Sequence, residues 1–198
     1  MRQSLHQENI SRIFIENPTI CGMCATNGPT CCQCGIKEEE LVAPLSEAEL
    51  RRIQKLAPWV ENTTFVVREK NSPFFISEMA KLFPDHPEDI KSSFPVDSFH
   101  LRLAQNSIGQ CVFLGPQGCL LPKAARPHFC NLYPFWFIGR NLHAFENHLC
   151  LALQHRNSIP KMCTELHTHP DDLFQAYLTL CQDWGVAPPS QDLQVEIQ

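Results

Sequence analysis

Eleven cysteines, most of them in two groups far apart along the chain, constrain this sequence more than any other feature. The first group runs Cys21-Gly-Met-Cys24 and, after six residues, Cys31-Cys32-Gln-Cys34. The second begins Cys111-Val-Phe-Leu-Gly-Pro-Gln-Gly-Cys119 and continues through Arg126-Pro-His-Phe-Cys130 to Cys150. A C-x2-C turn lets two thiolates converge on one centre, and paired groups of this kind recur in zinc and iron–sulfur sites. Each group is incomplete alone, so the expected fold closes one on the other around metal.

The setting decides between metal and disulfides. The first residues, Met1-Arg2-Gln3-Ser4-Leu5-His6, are polar and lack the apolar run of a signal peptide. No stretch approaches the roughly 20 apolar residues of a membrane helix. A soluble, cytoplasmic protein is therefore expected, where clustered cysteines mean metal or redox chemistry more often than disulfides. The net charge of -5, without a Lys/Arg block, argues against nucleic acid and anionic membrane as partners. A chain of 198 residues can bury a core as one domain.

Read in order, residues 1–20 are a lead-in, with Ile10, Ile13, Phe14 and Ile15 in a short helix ended by Asn17-Pro18. Residues 21–150 form the cysteine domain. The turn chemistry of Thr26-Asn27-Gly28-Pro29 separates the C-x2-C from the vicinal pair. The clearest helix spans 46–57: Ser46 and Glu49 make a capping box, Leu45 and Leu50 a hydrophobic staple, and Pro58 the stop. Thr64–Val67 is a strand candidate. Residues 71–99, rich in Pro and Phe, read as an insertion with its own apolar cluster and a short helix near Ile76–Leu82.

Residues 100–114 alternate as a β-hairpin turning at Gln105–Gly109, and Gly115-Pro116-Gln117-Gly118 is a second turn that returns Cys119 beside Cys111. Pro127 suits the first position of a short helix, which places Cys130 in its positive first turn, where a thiolate is favoured. Arg126 is placed to donate to cluster sulfurs, a useful position because a metal held by four thiolates is anionic. A further hairpin joins Phe135–Ile138 to Leu142–Phe145. The segment 151–187 carries a helix at 171–184, whose apolar stripe includes Leu173, Phe174, Tyr177, Leu180, Cys181 and Trp184, with Gly185 as its stop. Cys181 reads as a core thiol, His167-Thr168-His169 as a solvated loop, and 188–198 as a flexible tail.

Cys-x2-Cys, a vicinal Cys pair, Cys111-Val-Phe-Leu, Gly118-Cys119, Arg126-Pro-x-x-Cys130 and Tyr133-Pro134 together resemble the YkgJ-type cysteine-cluster proteins, a family of zinc- or iron-chelating domains. The resemblance covers about residues 21–150 and implies metal ligation by Cys21, Cys24, Cys31, Cys32, Cys111, Cys119, Cys130 and Cys150, with Arg126 in support. This chain departs from the family pattern in a longer gap before Cys31, in the extra Cys34, in Asn131 where arginine is common and in Leu121 where tyrosine is common.

The expected fold is a small α+β domain, with short β-hairpins and a few helices organised around a cysteine-ligated metal site. Three functions compete. One is a protein holding an iron–sulfur (4Fe-4S) cluster, with a redox or cluster-dependent modifying role. A second is a zinc protein or interaction module in which the metal is structural. A third is an enzyme like the lysine N-methylase branch that this domain resembles, acting on a protein substrate. No glycine-rich nucleotide loop or nucleophile elbow is present, so enzyme status stays open and no catalytic residue is named.

Overall fold

A computed structural model of the chain describes residues 20–28, 30–33, 41–62, 64–145, 150–154, 158–189 and 196–197. The expected lead-in helix around Ile10–Ile15 lies outside them. The architecture is α+β, as expected: helices alternate with three small sheets.

The chain enters through α1 (Ile20–Asn27), so the C-x2-C stands on a helix and not on the open turn that the spacing suggested. Spaced by three, Cys21 and Cys24 still share one helix face. Gly28 ends α1 at φ 40°, donating to the Cys24 carbonyl at 2.8 Å. The chain next forms β1 (Pro44–Leu45) and α2 (Glu47–Leu56). The expected capping box is present: Ser46 Oγ accepts from the Glu49 amide at 3.0 Å, and Glu49 Oε2 accepts from the Ser46 amide at 2.8 Å.

The first sheet orders β1, β3 (Phe99–Leu103) and β2 (Val66–Lys70), all antiparallel. Here the hairpin expected at 100–114 forms only next to its turn, and Leu101–Leu103 pair elsewhere. Both edges of β3 are occupied, by Leu45 opposite Leu101 on one side and Val67 opposite Arg102 on the other. The expected turn forms and is held by Asn106, whose Oδ1 accepts from the amides of Ile108 and Gln110. The Gln105–Cys111 bridge, the Asn106 amide to the Gln110 carbonyl and the Val112 amide to the Ala104 carbonyl link the two arms next to it. The second turn forms as a hairpin of β4 (Leu114–Gly115) and β5 (Gly118–Cys119), which sets Cys119 opposite Leu114 and not opposite Cys111.

Residues 71–99 are not a separate cluster. They form α3 (Pro73–Leu82) and α4 (Pro87–Ser93), and their Phe75, Met79, Phe83, Ile90 and Phe94 belong to the main core. Phe83 packs against Trp136, Tyr177 and Trp184 at centroid distances of 5.5–6.2 Å. The prolines that made this stretch look irregular start helices: Pro73 and Pro87 each occupy a first turn, where a missing amide hydrogen costs nothing.

A short α5 (His128–Leu132) leads into the hairpin of β6 (Phe135–Ile138) and β7 (Asn141–Ala144). Two small helices follow, α6 (Leu151–Gln154) and α7 (Ile159–Glu165), then α8 (Pro170–Trp184). All six expected stripe residues of α8 are buried, and Gly185 at φ 69° closes it, with the Val186 amide reaching the Cys181 carbonyl at 2.9 Å. Residues 196–197, read as tail, pair parallel to β7 as β8 (Glu196–Ile197), because that edge of the hairpin offers unpaired backbone groups.

Two apolar clusters result. The larger joins α3, α4, β6, β7, α7 and α8. The smaller gathers Leu45, Ile53, Val60, Phe65, Phe113 and Leu121, and Cys111 and Cys119 pack against it. Among the described residues no helix is long and apolar enough to cross a membrane.

Candidate metal centre

The two cysteine groups meet because backbone from each is bonded to the other. The Cys111 amide donates to the Cys32 carbonyl at 2.8 Å, and Gln33 bridges to Gln110. On the other side α1 lies on β5: a Cβ at Gly118, whose φ is 101°, would stand in ordinary contact with α1, 3.4 Å from the Gly22 nitrogen. Thr26 Oγ1 adds a bond to the Pro116 carbonyl at 3.3 Å.

The eight expected thiols form one connected electrostatic set. Cys21 feels Cys24, Cys32 and Cys150. Cys31 feels Cys32, Cys21 and Cys130. Cys130 feels Cys32, Cys111 and Cys119. Chain segments separated by up to 129 positions, from Cys21 to Cys150, thus share one neighbourhood. Cys34 lies outside the described residues. Cys163 and Cys181 are buried in the core, away from the set; burial raises both thiols, that of Cys181 to about 11.

Charge within the set is uneven. Burial drives Cys21 up to about 11, and the Arg126 guanidinium opposes it. A hydrogen bond between the neighbouring thiols raises Cys31 and lowers Cys32, which the Thr30 hydroxyl and Arg126 help bring to about 7. Burial raises Cys119 against donation from the Leu121 amide and from Arg126. Cys150 precedes α6 and is also raised by burial, with the Ala152 and Leu153 amides donating to its sulfur. Cys130 does not behave as its helical position suggested. Burial and the thiols around it push it well up, and a five-residue helix does not overcome them.

Arg126 acts on Cys21, Cys32 and Cys119 together. Its Nε donates to the Leu121 carbonyl at 3.1 Å, which fixes where the guanidinium points. Cys21, Cys31 and Cys130 expose surface, yet burial raises all three.

Among the described residues, no group of three or more Cys, His, Asp or Glu side chains is disposed to hold a single metal ion. The cysteine-ligated site expected at the heart of the fold is therefore gathered as a neighbourhood but not drawn to a point. The donor chemistry itself fits a thiophilic metal: thiols, amide donors to sulfur, and a fixed guanidinium against excess negative charge.

The sequence reading missed the polar residues beneath this set. Glu49 is buried, 1% exposed, and His128 and Arg52 meet it there. Glu49 was legible only as half of a capping box. In comparison with known proteins, the chain matches no family model, no curated protein and no solved structure.

Proposed function

We propose that this is a metal-binding protein whose clustered thiols hold an iron–sulfur cluster, with a redox role or a cluster-dependent role toward a protein partner in the cytoplasm. The observation that carries the reading is the mutual coupling of thiols from both cysteine groups, with Arg126 acting on Cys21, Cys32 and Cys119. The resemblance to the YkgJ-type cysteine-cluster proteins supports it. Cys21, Cys24, Cys31, Cys32, Cys111, Cys119, Cys130 and Cys150 are the pool from which ligands come. An iron–sulfur cluster needs about four of them. The others stand beside it or hold a second ion.

The bound cluster would supply one-electron transfer. The chain's own residues do the rest. The amides of Leu121, Ala152 and Leu153 donate to sulfur and favour its anionic form. Arg126 offsets the negative charge that four thiolates bring together. Because most of these thiols are raised by burial, binding metal releases protons, and affinity should climb with pH.

Anaerobic purification, followed by iron, zinc and acid-labile sulfide analysis and a visible spectrum, tests the reading. The expected result is a brown protein with about four iron and four sulfide per cluster, bleached by a reductant. A colourless protein with stoichiometric zinc would replace it with a structural zinc site, for which a closed set of four thiolates suffices. Absence of both metals would overturn metal binding altogether.

A further inference from the structure

The segment Arg126–Cys130 carries both a thiol of the set and its guanidinium, and it is only five residues long. Something must fix it, because Pro127 cannot donate a backbone bond and α5 is too short to stand alone. The fixing groups come from α2. Glu49 Oε1 accepts from the His128 amide at 2.6 Å, across 79 positions of sequence. Arg52, one turn on, donates from Nη2 to the Arg126 carbonyl at 2.8 Å and contacts His128 Nε2 through Nη1 at 2.6 Å. Arginine only donates, so His128 Nε2 is the acceptor and the ring is neutral, its proton on Nδ1. Glu49 and Arg52 thus grip backbone and side chain on both sides of Pro127.

The grip is more than a helix cap. A capping box needs one carboxylate oxygen, and Glu49 Oε2 serves it at the Ser46 amide. The second oxygen is committed to residue 128, and the carboxylate is sealed from water at 1% exposure. A buried carboxylate costs free energy unless it is fully bonded. This one accepts from two amides and lies 3.8 Å from the Arg52 guanidinium. Its negative charge also reaches Cys130.

We propose that Glu49 and Arg52 are positioning residues for the thiol centre: from α2 they hold Arg126 and Cys130 in place and bias the charge around them with opposite signs. The inference rests on the metal-centre reading for its redox consequence, but the grip itself can be tested without metal.

The variants are Glu49→Gln and Arg52→Gln, with Ser46→Ala as the control. An amide side chain offers one acceptor oxygen where the carboxylate has two, so E49Q cannot serve both amides. R52Q leaves the capping box intact and carries the test if E49Q fails to fold. S46A removes the cap bond and the 2.9 Å bond from Ser46 Oγ to Asp183, while it leaves the Glu49 and Arg52 bonds to residues 126–128 in place.

In metal-free protein, hydrogen exchange at the His128 amide should accelerate about tenfold to a hundredfold in E49Q, the loss of one bond to a charged acceptor. R52Q should likewise speed alkylation of Cys130. S46A should leave both near wild type while lowering the urea midpoint. In protein loaded with an iron–sulfur cluster, the reduction potential should rise in E49Q and fall in R52Q, a pair of opposite shifts that a purely structural role would not produce.

Unchanged exchange and labelling in both variants, or equal changes in S46A, would overturn the grip. Shifts of the same sign in the two variants would overturn the charge bias. Wild-type protein without metal would sink the proposed function and leave exchange and labelling to decide the grip alone.

Discussion

The joint between the two cysteine groups can be broken at one atom. Gly118 sits at φ 101°, with the Gly22 nitrogen 3.4 Å and the Cys21 carbonyl carbon 3.5 Å from where a Cβ would be. That φ lies beyond the left-handed helical well, where an alanine costs about 1–3 kcal/mol. The distances to α1 are ordinary van der Waals contacts, so the cost is that of the backbone conformation. Alanine also stiffens the unfolded chain, which returns about 0.4–1 kcal/mol. A net loss of about 2 kcal/mol for Gly118→Ala follows. With a urea slope of about 2 kcal/mol per molar, the midpoint should drop by about 1 M. Gly139 supplies the comparison. Its φ is 59° and nothing stands within 4 Å of its missing Cβ. Gly139→Ala should cost about 1 kcal/mol, since only the left-handed conformation is penalised. Gly139→Asn should cost almost nothing. Urea melts of the four proteins, with metal analysis of each, make the assay. Metal content should fall in G118A alone, because only there does relief of the strained φ move a strand that packs on α1. Equal midpoints for G118A and G139A, or full metal content in G118A, would refute the claim that the Gly118 conformation helps join the two groups.

The remaining predictions are briefer. Cys119→Ser and Cys130→Ser should each lower bound metal and destabilise the protein, since metal affinity is folding energy at such sites, whereas Cys181→Ser, buried in the core beside Tyr177, should leave metal content unchanged. Metal analysis and urea midpoints check all three. His100 is buried, stacked on Phe75 at 3.9 Å and bonded through Nδ1 to Asn71 at 2.8 Å. Burial lowers its proton affinity, Arg102 lowers it further and Glu69 opposes both. A depressed imidazole stabilises the fold fully above the unfolded value of about 6.5, and that stabilisation is lost as pH falls through the folded value. The urea midpoint should therefore decline below about pH 6.5, and His100→Gln should flatten the decline; an identical acid limb in the variant would refute it.

How far the sequence could be read depended on whether the controlling interactions were local. The capping box of α2, the stripe of α8 and the Gly185 stop lie within a few residues of what they control, and the structure has them where the pattern put them. The 100–114 hairpin formed only near its turn for the opposite reason. Alternation in Leu101-Arg102-Leu103 is the same whether the partner is the next segment or, as here, β1 and β2. The prolines of 71–99 misled similarly. A proline that starts a helix and one that interrupts a loop look alike until the next turn is known to pack, and here Phe75 and Phe83 pack into the main core.

The cysteine set shows both sides at once. That the two groups should meet was legible, because each is an incomplete set of thiols and a soft metal wants them together. Which backbone would bring them together was not. The contacts responsible are a glycine without a side chain and a carbonyl of Cys32, neither of which leaves a mark in hydropathy or charge. Glu49 is the sharper case. Its spacing from Ser46 declares one role completely, and a residue with a sufficient local explanation invites no search for a second. Yet the capping box is satisfied by one oxygen, and the other is free to reach 79 positions away to the His128 amide, two residues before Cys130. A capping glutamate that is also sealed from solvent has more acceptor capacity than its cap consumes. In a chain whose chemistry lies on short, proline-bound segments, that spare oxygen marks where the scaffold takes hold of the site.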